Sequence, residues 1–224
     1  MIYGRRKGKG SRQNITSIID SKLPKFAINI EKISKISNLK ALFPKNINEI
    51  WLEIGFGSGE HLIEQAKVNP KVGFIGIEVY EDGIAKAVSS IVKLGITNVK
   101  IYPNDANNLI YALPKMSIQK TFILFPDPWP KKRHSKRRFI SSKNLKQLAR
   151  IMTEGAQLRI ATDHPVLLRW SLEQLINNQS FNWDLSGPES WRKQPSDWFS
   201  TRYENKAINA GRKPIYLNFY KELV

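Results

Sequence analysis

The sequence predicts an α/β protein built on an open, mostly parallel sheet, and three observations carry that prediction. Short apolar runs alternate with stretches of helical period. The first clear run, Ile50-Trp51-Leu52-Glu53-Ile54, opens into a glycine turn, Gly55-Phe56-Gly57-Ser58-Gly59. Three successive strand candidates then end in or near an acid, Glu53, Glu78 and Asp105. Open sheets collect their chemistry at such strand ends.

In chain order, residues 1–22 hold Arg5, Arg6, Lys7, Lys9 and Arg12 among glycines, with no apolar period. They read as a flexible basic arm, and residues 23–224 as a single domain. Short helical candidates between Phe26 and Leu42 end at Pro44. After the glycine turn, Leu62, Ile63 and Ala66 share a helix face that Asn69-Pro70 terminates. The second strand, Phe74–Val79, carries Glu78 23 residues after Gly55. A carboxylate at about that spacing can accept both hydroxyls of a ribose. Ile84, Ala87, Val88 and Ile91 mark the next helix, closed by Gly95. The third strand, Val99–Tyr102, leads to Asn104-Asp105-Ala106, polar groups suited to an adenine edge. A glycine loop alone also closes plain βα units, and glycines at its first, third and fifth positions depart from the dinucleotide pattern. With three acids beside it, the loop points to an adenosine-type ligand.

The central strand, Thr121–Phe125, runs into Pro126-Asp127-Pro128-Trp129-Pro130. Prolines cannot donate to a ladder, so the strand stops there. One carboxylate, Asp127, is held on this stiffened turn beside Trp129, a ring equally suited to stacking on a base or to the core. Leu145, Leu148, Ala149 and Met152 then mark an amphipathic helix. A strand over Gln157–Thr162 ends at Asp163. A further helix carries Val166, Leu167, Trp170, Leu175 and Ile176. Phe181–Leu185 reads as a short strand, residues 186–200 as a loop, and Ile215–Tyr220 as a last alternating strand.

The 224 residues contain no cysteine, which excludes disulfides and thiolate catalysis. Three scattered histidines (His61, His134, His164) suggest no metal site, and His61 and His164 read as structural. No apolar run is long enough to span a membrane and no secretory signal is present, so the expectation is a cytoplasmic protein. The net charge is +17. The first twelve residues and residues 131–138 hold eleven cations and no acid. Charge clustered in this way is the footprint of a polyanion. The arm is therefore expected to order on RNA, and Lys131, Arg133, Lys136, Arg137 and Arg138 to grip phosphates. No obligate protein partner is expected.

Particular motifs carry a resemblance. Phe125-Pro126-Asp127-Pro128-Trp129-Pro130-Lys131-Lys132-Arg133-His134-Ser135-Lys136-Arg137-Arg138 is the most specific. Leu52–Gly59, Gly76-Ile77-Glu78, Ala161-Thr162-Asp163 and Thr201-Arg202-Tyr203-Glu204-Asn205-Lys206 follow in order. The chain resembles the bacterial tRNA (guanine-N7)-methyltransferases over most of residues 50–220. The resemblance implies a Rossmann-like, seven-stranded, mostly parallel sheet whose last strand is antiparallel, the S-adenosylmethionine-dependent methyltransferase fold. It also implies S-adenosylmethionine as cofactor and a tRNA guanine, in the variable loop, as substrate. Carried over by motif, Glu53, Glu78, Asp105 and Asp127 line the cofactor site beside Gly55 and Gly57, and Asp127 is the catalytic acid. Lys131, Asp163 and the segment Thr201, Arg202, Tyr203 and Glu204 contact the target nucleotide. Read from the residues alone, a nicotinamide dehydrogenase, a non-catalytic RNA-binding protein and an enzyme for another RNA stay open as alternatives.

Overall fold

The computed structural model describes residues 6, 12–33, 35–184, 186–187 and 189–222. Among them are the strands β1 (Glu49–Ile54), β2 (Val72–Ile77), β3 (Val99–Tyr102), β4 (Ile118–Leu124), β5 (Met152–Thr162), β6 (Phe181–Trp183) and β7 (Ile215–Lys221). They form one sheet in the order β3-β2-β1-β4-β5-β7-β6. The first five pair in parallel, and β7 runs antiparallel to both β5 and β6. The chain winds outward from β1 to β3, then returns beside β1 to lay down β4. The strand order therefore reverses between β1 and β4, where open α/β sheets form their crevice.

Strand periodicity divides the interior into two cores. Ile50, Leu52, Ile54, Ile75, Ile77, Ile123, Leu158 and Ile160 face one side. Trp51, Phe74, Phe122, Leu124 and Ala161 face the other. The first core is covered by helices α5 (Ala106–Ala112), α6 (Ser142–Ile151) and α7 (Pro165–Ile176), through residues such as Leu109, Leu145 and Leu175. The short α2 (Ile30–Ile33) joins them through Ile33. The second is covered by α3 (Glu60–Val68) and α4 (Glu81–Lys93), through Leu62, Ala66, Ile84 and Val88. Strands buried on both faces read as nearly continuous apolar runs, which is why their positions are legible in the sequence.

The arm differs from expectation. Residues 12–21 form helix α1 (Arg12–Ser21), not flexible chain. Its Ile15, Ile18 and Ile19 fall at helical spacing, and Ile18 and Ile19 pack against the second core. Polar residues between the isoleucines masked the stripe. The rest of the basic arm, apart from Arg6, lies outside the described residues. Met152, expected on a helix face, is the first residue of β5; the helix stops at Ile151 and the chain turns straight into a strand. Two further helices were not anticipated. One is α5, seven residues long with two asparagines near its start, and the other is α8 (Arg202–Asn209). Each sits directly after a capping side chain, Asp105 or Thr201, that accepts from a backbone N–H of the first turn.

Helix α4 meets the glycine turn at very close range. A Cβ added to Gly83 would lie 2.1 Å from the Gly57 carbonyl oxygen, and one added to Gly59 would lie 2.9 Å from Ala87 Cβ. No side chain larger than hydrogen fits at Gly83 without moving the turn. Gly83→Ala is expected to destabilise the protein by about 1–3 kcal/mol, the usual cost of overpacking. Thermal unfolding checks this; a melting temperature equal to that of the unsubstituted protein contradicts the close contact.

Candidate active site

The cleft at the switch point has a volume of about 680 Å³. Its walls come from the ends of four parallel strands and from three segments that fold over them. Ile54 ends strand β1, with Gly55 and Gly57 following. Ile77 ends strand β2, with Glu78 following. Asn104 and Asp105 follow β3, and Leu124 to Asp127 follow β4. The rim carries Lys136, Arg137, Arg138, Lys143, Arg202 and Tyr203.

Gly55 and Gly57 have φ of 77° and 61°, in the left-handed region that glycine occupies without penalty. A Cβ at Gly55 would meet nothing within 4 Å, so the turn borders open cleft there. At Gly57 a Cβ would touch the Tyr203 ring at 3.3 Å, which places α8 against the glycine turn.

Glu78 is fixed by the backbone around it. One carboxylate oxygen accepts from Val79 N (2.7 Å) and Tyr80 N (3.0 Å), the other from Gly57 N (2.8 Å). A carboxylate has about four acceptor sites. Glu78 therefore keeps acceptor capacity beyond its three backbone donors. Burial pushes its pKa upward, the three backbone N–H groups oppose that, and the charge of Asp127 adds to the rise. Asp127 and Glu78 line the same cavity. Asp105 is buried and caps α5, accepting from Asn107 N (3.0 Å) and Asn107 Nδ2 (2.9 Å).

The turn after β4 is under strain. Phe125 has φ of 49° and Trp129 of 40°. Positive φ in bulky residues is a genuine outlier, costing on the order of 1–3 kcal/mol each. Both precede prolines, whose rings disfavour the right-handed helical conformation at the residue before. Asp127 lies between them, open to solvent on one side, yet with enough protein around it that desolvation raises its pKa. Trp129 lines the cleft, with the Arg137 guanidinium 4.9 Å above its ring and His134 edge-on at 5.8 Å.

The structure gathers Gly55, Gly57, Glu78, Asp105, Asp127, Lys136, Arg137, Arg138, Arg202 and Tyr203 around this cleft. It places the other anticipated residues elsewhere. Glu53 shares the strand face of Trp51, pointing toward α3. It is 3% exposed, with its Oε2 2.8 Å from His61 Nδ1. Gln65 Nε2 sits 3.3 Å from His61 Nε2 and donates to the Asp197 carbonyl. This chain is satisfied with the imidazole proton on Nδ1 and leaves Glu53 off the cleft wall. Asp163 accepts from Arg212 Nε at 2.5 Å. Lys131 and Arg133 are exposed beyond the rim, Arg133 on a 3-10 turn spanning Lys132–Arg137. Thr201 caps α8, accepting from Glu204 N at 3.1 Å.

Glu204 is fully buried. Its carboxylate accepts from Gln194 Nε2 (2.8 Å), Trp198 Nε1 (2.8 Å) and the Tyr216 hydroxyl. Burial, then the neighbouring Glu204, pushes the Tyr216 phenol upward, which keeps it a donor. Glu204 therefore ties α8 and the loop 186–200 to β7. Lys143 and Asn144, at the start of α6, also line the cleft and were missed. The apolar pair Phe139-Ile140 separates them from the basic run, and nothing in the sequence signals that the chain returns.

A glycine-turn cleft at the reversal of a parallel sheet with an antiparallel last strand is the architecture of the Rossmann-like methyltransferase fold. Solved structures with the same fold include the 16S rRNA methyltransferase KamB (TM-score 0.59, 14% identity, covering 84% of this chain and 96% of that one). Another is an rRNA methylase from Streptococcus thermophilus (TM-score 0.53, 15% identity, 87% and 94%). A family model described as "Putative methyltransferase" matches residues 47–217. The protein named tRNA (guanine-N(7)-)-methyltransferase in Rhodospirillum rubrum is 44% identical over 220 residues, 97% of this chain and 86% of that one. Its namesake in Agrobacterium fabrum is 40% identical over 220 residues, 98% and 94%. The chain belongs to the tRNA (guanine-N7)-methyltransferase family.

Replacing Glu204 by alanine removes the acceptor of three donors, among them the half-buried Trp198 indole and the buried Tyr216 hydroxyl. Glu204→Ala is expected to cost roughly 2–4 kcal/mol, at about 1–3 kcal/mol per buried group left unpaired with partial relaxation. Denaturant unfolding measures it. Unchanged stability together with a raised KM for RNA would instead make Glu204 a ligand contact.

Proposed function

We propose that this cleft binds S-adenosylmethionine and that the protein transfers a methyl group to N7 of a guanine in tRNA, in the variable loop. One observation carries the reading. The only carboxylate on the strained β4 turn shares a cavity with the glycine turn and lies beside a cationic rim. The relatives' names supply the polymer and the atom. The cavity suits the cofactor: the open space at Gly55, the remaining acceptor capacity of Glu78 and the apolar Ile54 and Ile77 match a nucleoside with a polar sugar. Gly55, Gly57, Glu78 and Asp105 would hold it. When bound, S-adenosylmethionine supplies an electrophilic methyl group on a sulfonium.

Guanine N7 has a free lone pair and no proton, so no general base is required. What the chain must do is orient the base and exclude water, and positioning of this kind is worth roughly 7–11 kcal/mol. Asp127 accepts from the guanine N1–H and N2–H groups, which aims N7 into the cavity. Its negative charge also favours the positive charge that grows on the purine. A base inside folded RNA must be exposed or flipped to reach this depth. Trp129, already carrying Arg137 on its ring, offers a stacking surface worth about 1–3 kcal/mol. Lys131, Arg133 and Lys136, exposed around the mouth, hold phosphates.

The test is methyl transfer to unmodified tRNA followed by mapping of the modified base. A single N7-methylated guanine is expected, and a product methylated at another atom, or none, overturns the reading. Asp127→Asn is expected to lower kcat by about 10²-fold, the usual loss for one preorganised transition-state contact. Equilibrium dialysis should show cofactor affinity nearly unchanged, and turnover near that of the unsubstituted enzyme contradicts the role.

Activity also depends on pH with a definite sign. Asp127 acts as a carboxylate, and its pKa lies above the ordinary 3.8 because burial disfavours the charge. Turnover is present above that raised value and is lost as pH falls through it. A pH–kcat profile should show this acid limb, displaced upward from an ordinary aspartate, and Asp127→Asn should lack it.

A further inference from the structure

We infer that Arg138 is a positioning residue for the turn that carries Asp127, and that it does not belong with the phosphate-gripping cations of its own run. The inference rests on the reading of Asp127 above. Six Lys or Arg residues in 131–138 look alike in sequence, but the fold buries one of them. Lys131, Lys132, Arg133 and Lys136 are exposed, whereas Arg138 is 7% exposed. Its Nε lies 3.2 Å from the Pro128 carbonyl and 3.3 Å from that of Trp129, and its Nη2 donates to the Trp129 carbonyl at 2.9 Å. Its guanidinium lies 4.8 Å from the ring of Trp170 on α7. That ring is anchored in turn, with Nε1 donating to the Ile140 carbonyl at 2.5 Å.

The geometry matches a need. Residues with bulky side chains at positive φ persist only where their surroundings over-determine them. The strained Trp129 is the residue whose carbonyl Arg138 holds from two nitrogens. A planar fork can satisfy two carbonyls while lying flat on an aromatic face; an ammonium cannot. Arg138 thus connects α7 to the far end of the Pro126–Pro130 turn, and so sets where Asp127 stands in the cleft.

Steady-state kinetics on tRNA with Arg138→Lys tests this, with the salt dependence of tRNA binding measured in parallel. The charge is kept and the fork is lost. The expected result is a kcat lower by at least threefold, with the slope of log affinity against log salt unchanged. Arg133→Ala serves as the comparison, flattening that slope by about 0.7–0.9, the signature of one lost phosphate contact. A kcat reduced less than threefold, or a flattened slope for Arg138→Lys, overturns the inference. Should Arg138→Lys not be recovered folded, Trp170→Phe takes its place under the same criteria, since it removes the Nε1–H anchor and keeps an aromatic face. Asp127→Asn, assayed alongside, separates the two readings. If it retains turnover, the proposed role of Asp127 fails; if it loses turnover while Arg138→Lys does not, only the role of Arg138 fails.

Discussion

The conformation of the turn after β4 is one the chain would not hold unaided. Two aromatic residues sit at positive φ, each before a proline, with one carboxylate between them. Everything around the cleft either makes that conformation tolerable or uses it. The parallel ladder delivers the strand: Phe125 N donates to the Ala161 carbonyl, so pairing with β5 continues to the residue where the strain begins. Arg138 closes the other end. A few kcal/mol of strain is affordable only because β4 is buried on both faces, with Phe122, Ile123 and Leu124 each under 10% exposed.

The second constraint is the close approach of α4 to the glycine turn. Gly57 is shared by three partners. Its N–H goes to Glu78, its carbonyl faces Gly83, and its Cα faces the Tyr203 ring. The Glu78 side and the α8 side of the cleft thus meet at one residue. Helix α8 is in turn pinned from beneath by Glu204, whose three donors come from the loop before the helix and the strand after it. The Thr201–Glu204 segment therefore presents two faces. Arg202 and Tyr203 look into the cleft, and Thr201 and Glu204 build the support.

Much of the fold was legible because buried parallel strands are nearly continuous apolar runs, and because the glycines and prolines that end them sit at the site itself. The cleft residues at strand ends, Gly55, Glu78, Asp105 and Asp127, were legible for the same reason. What sequence could not separate was residue type from residue placement. Glu53 lies one residue from the cleft-lining Ile54, and strand alternation turns it toward His61. Arg138 looks like its basic neighbours until Trp170, far along the chain, is seen beneath it. Glu204 reads as an active-site acid, and only the fold brings Trp198 and Tyr216 to it. Helix α1 was hidden because three isoleucines among polar residues carry too little apolar content to stand out from a charged arm.

The central claim is that the Asp127 carboxylate and the glycine turn face each other across the space where a purine is received. The most direct measurement is a crystal structure of the protein with S-adenosylhomocysteine and a tRNA fragment bearing the target guanine. The account predicts Asp127 within hydrogen-bonding distance of guanine N1 and N2, with N7 turned toward the glycine turn. A guanine seated elsewhere, or an Asp127 side chain directed away from it, would contradict the account.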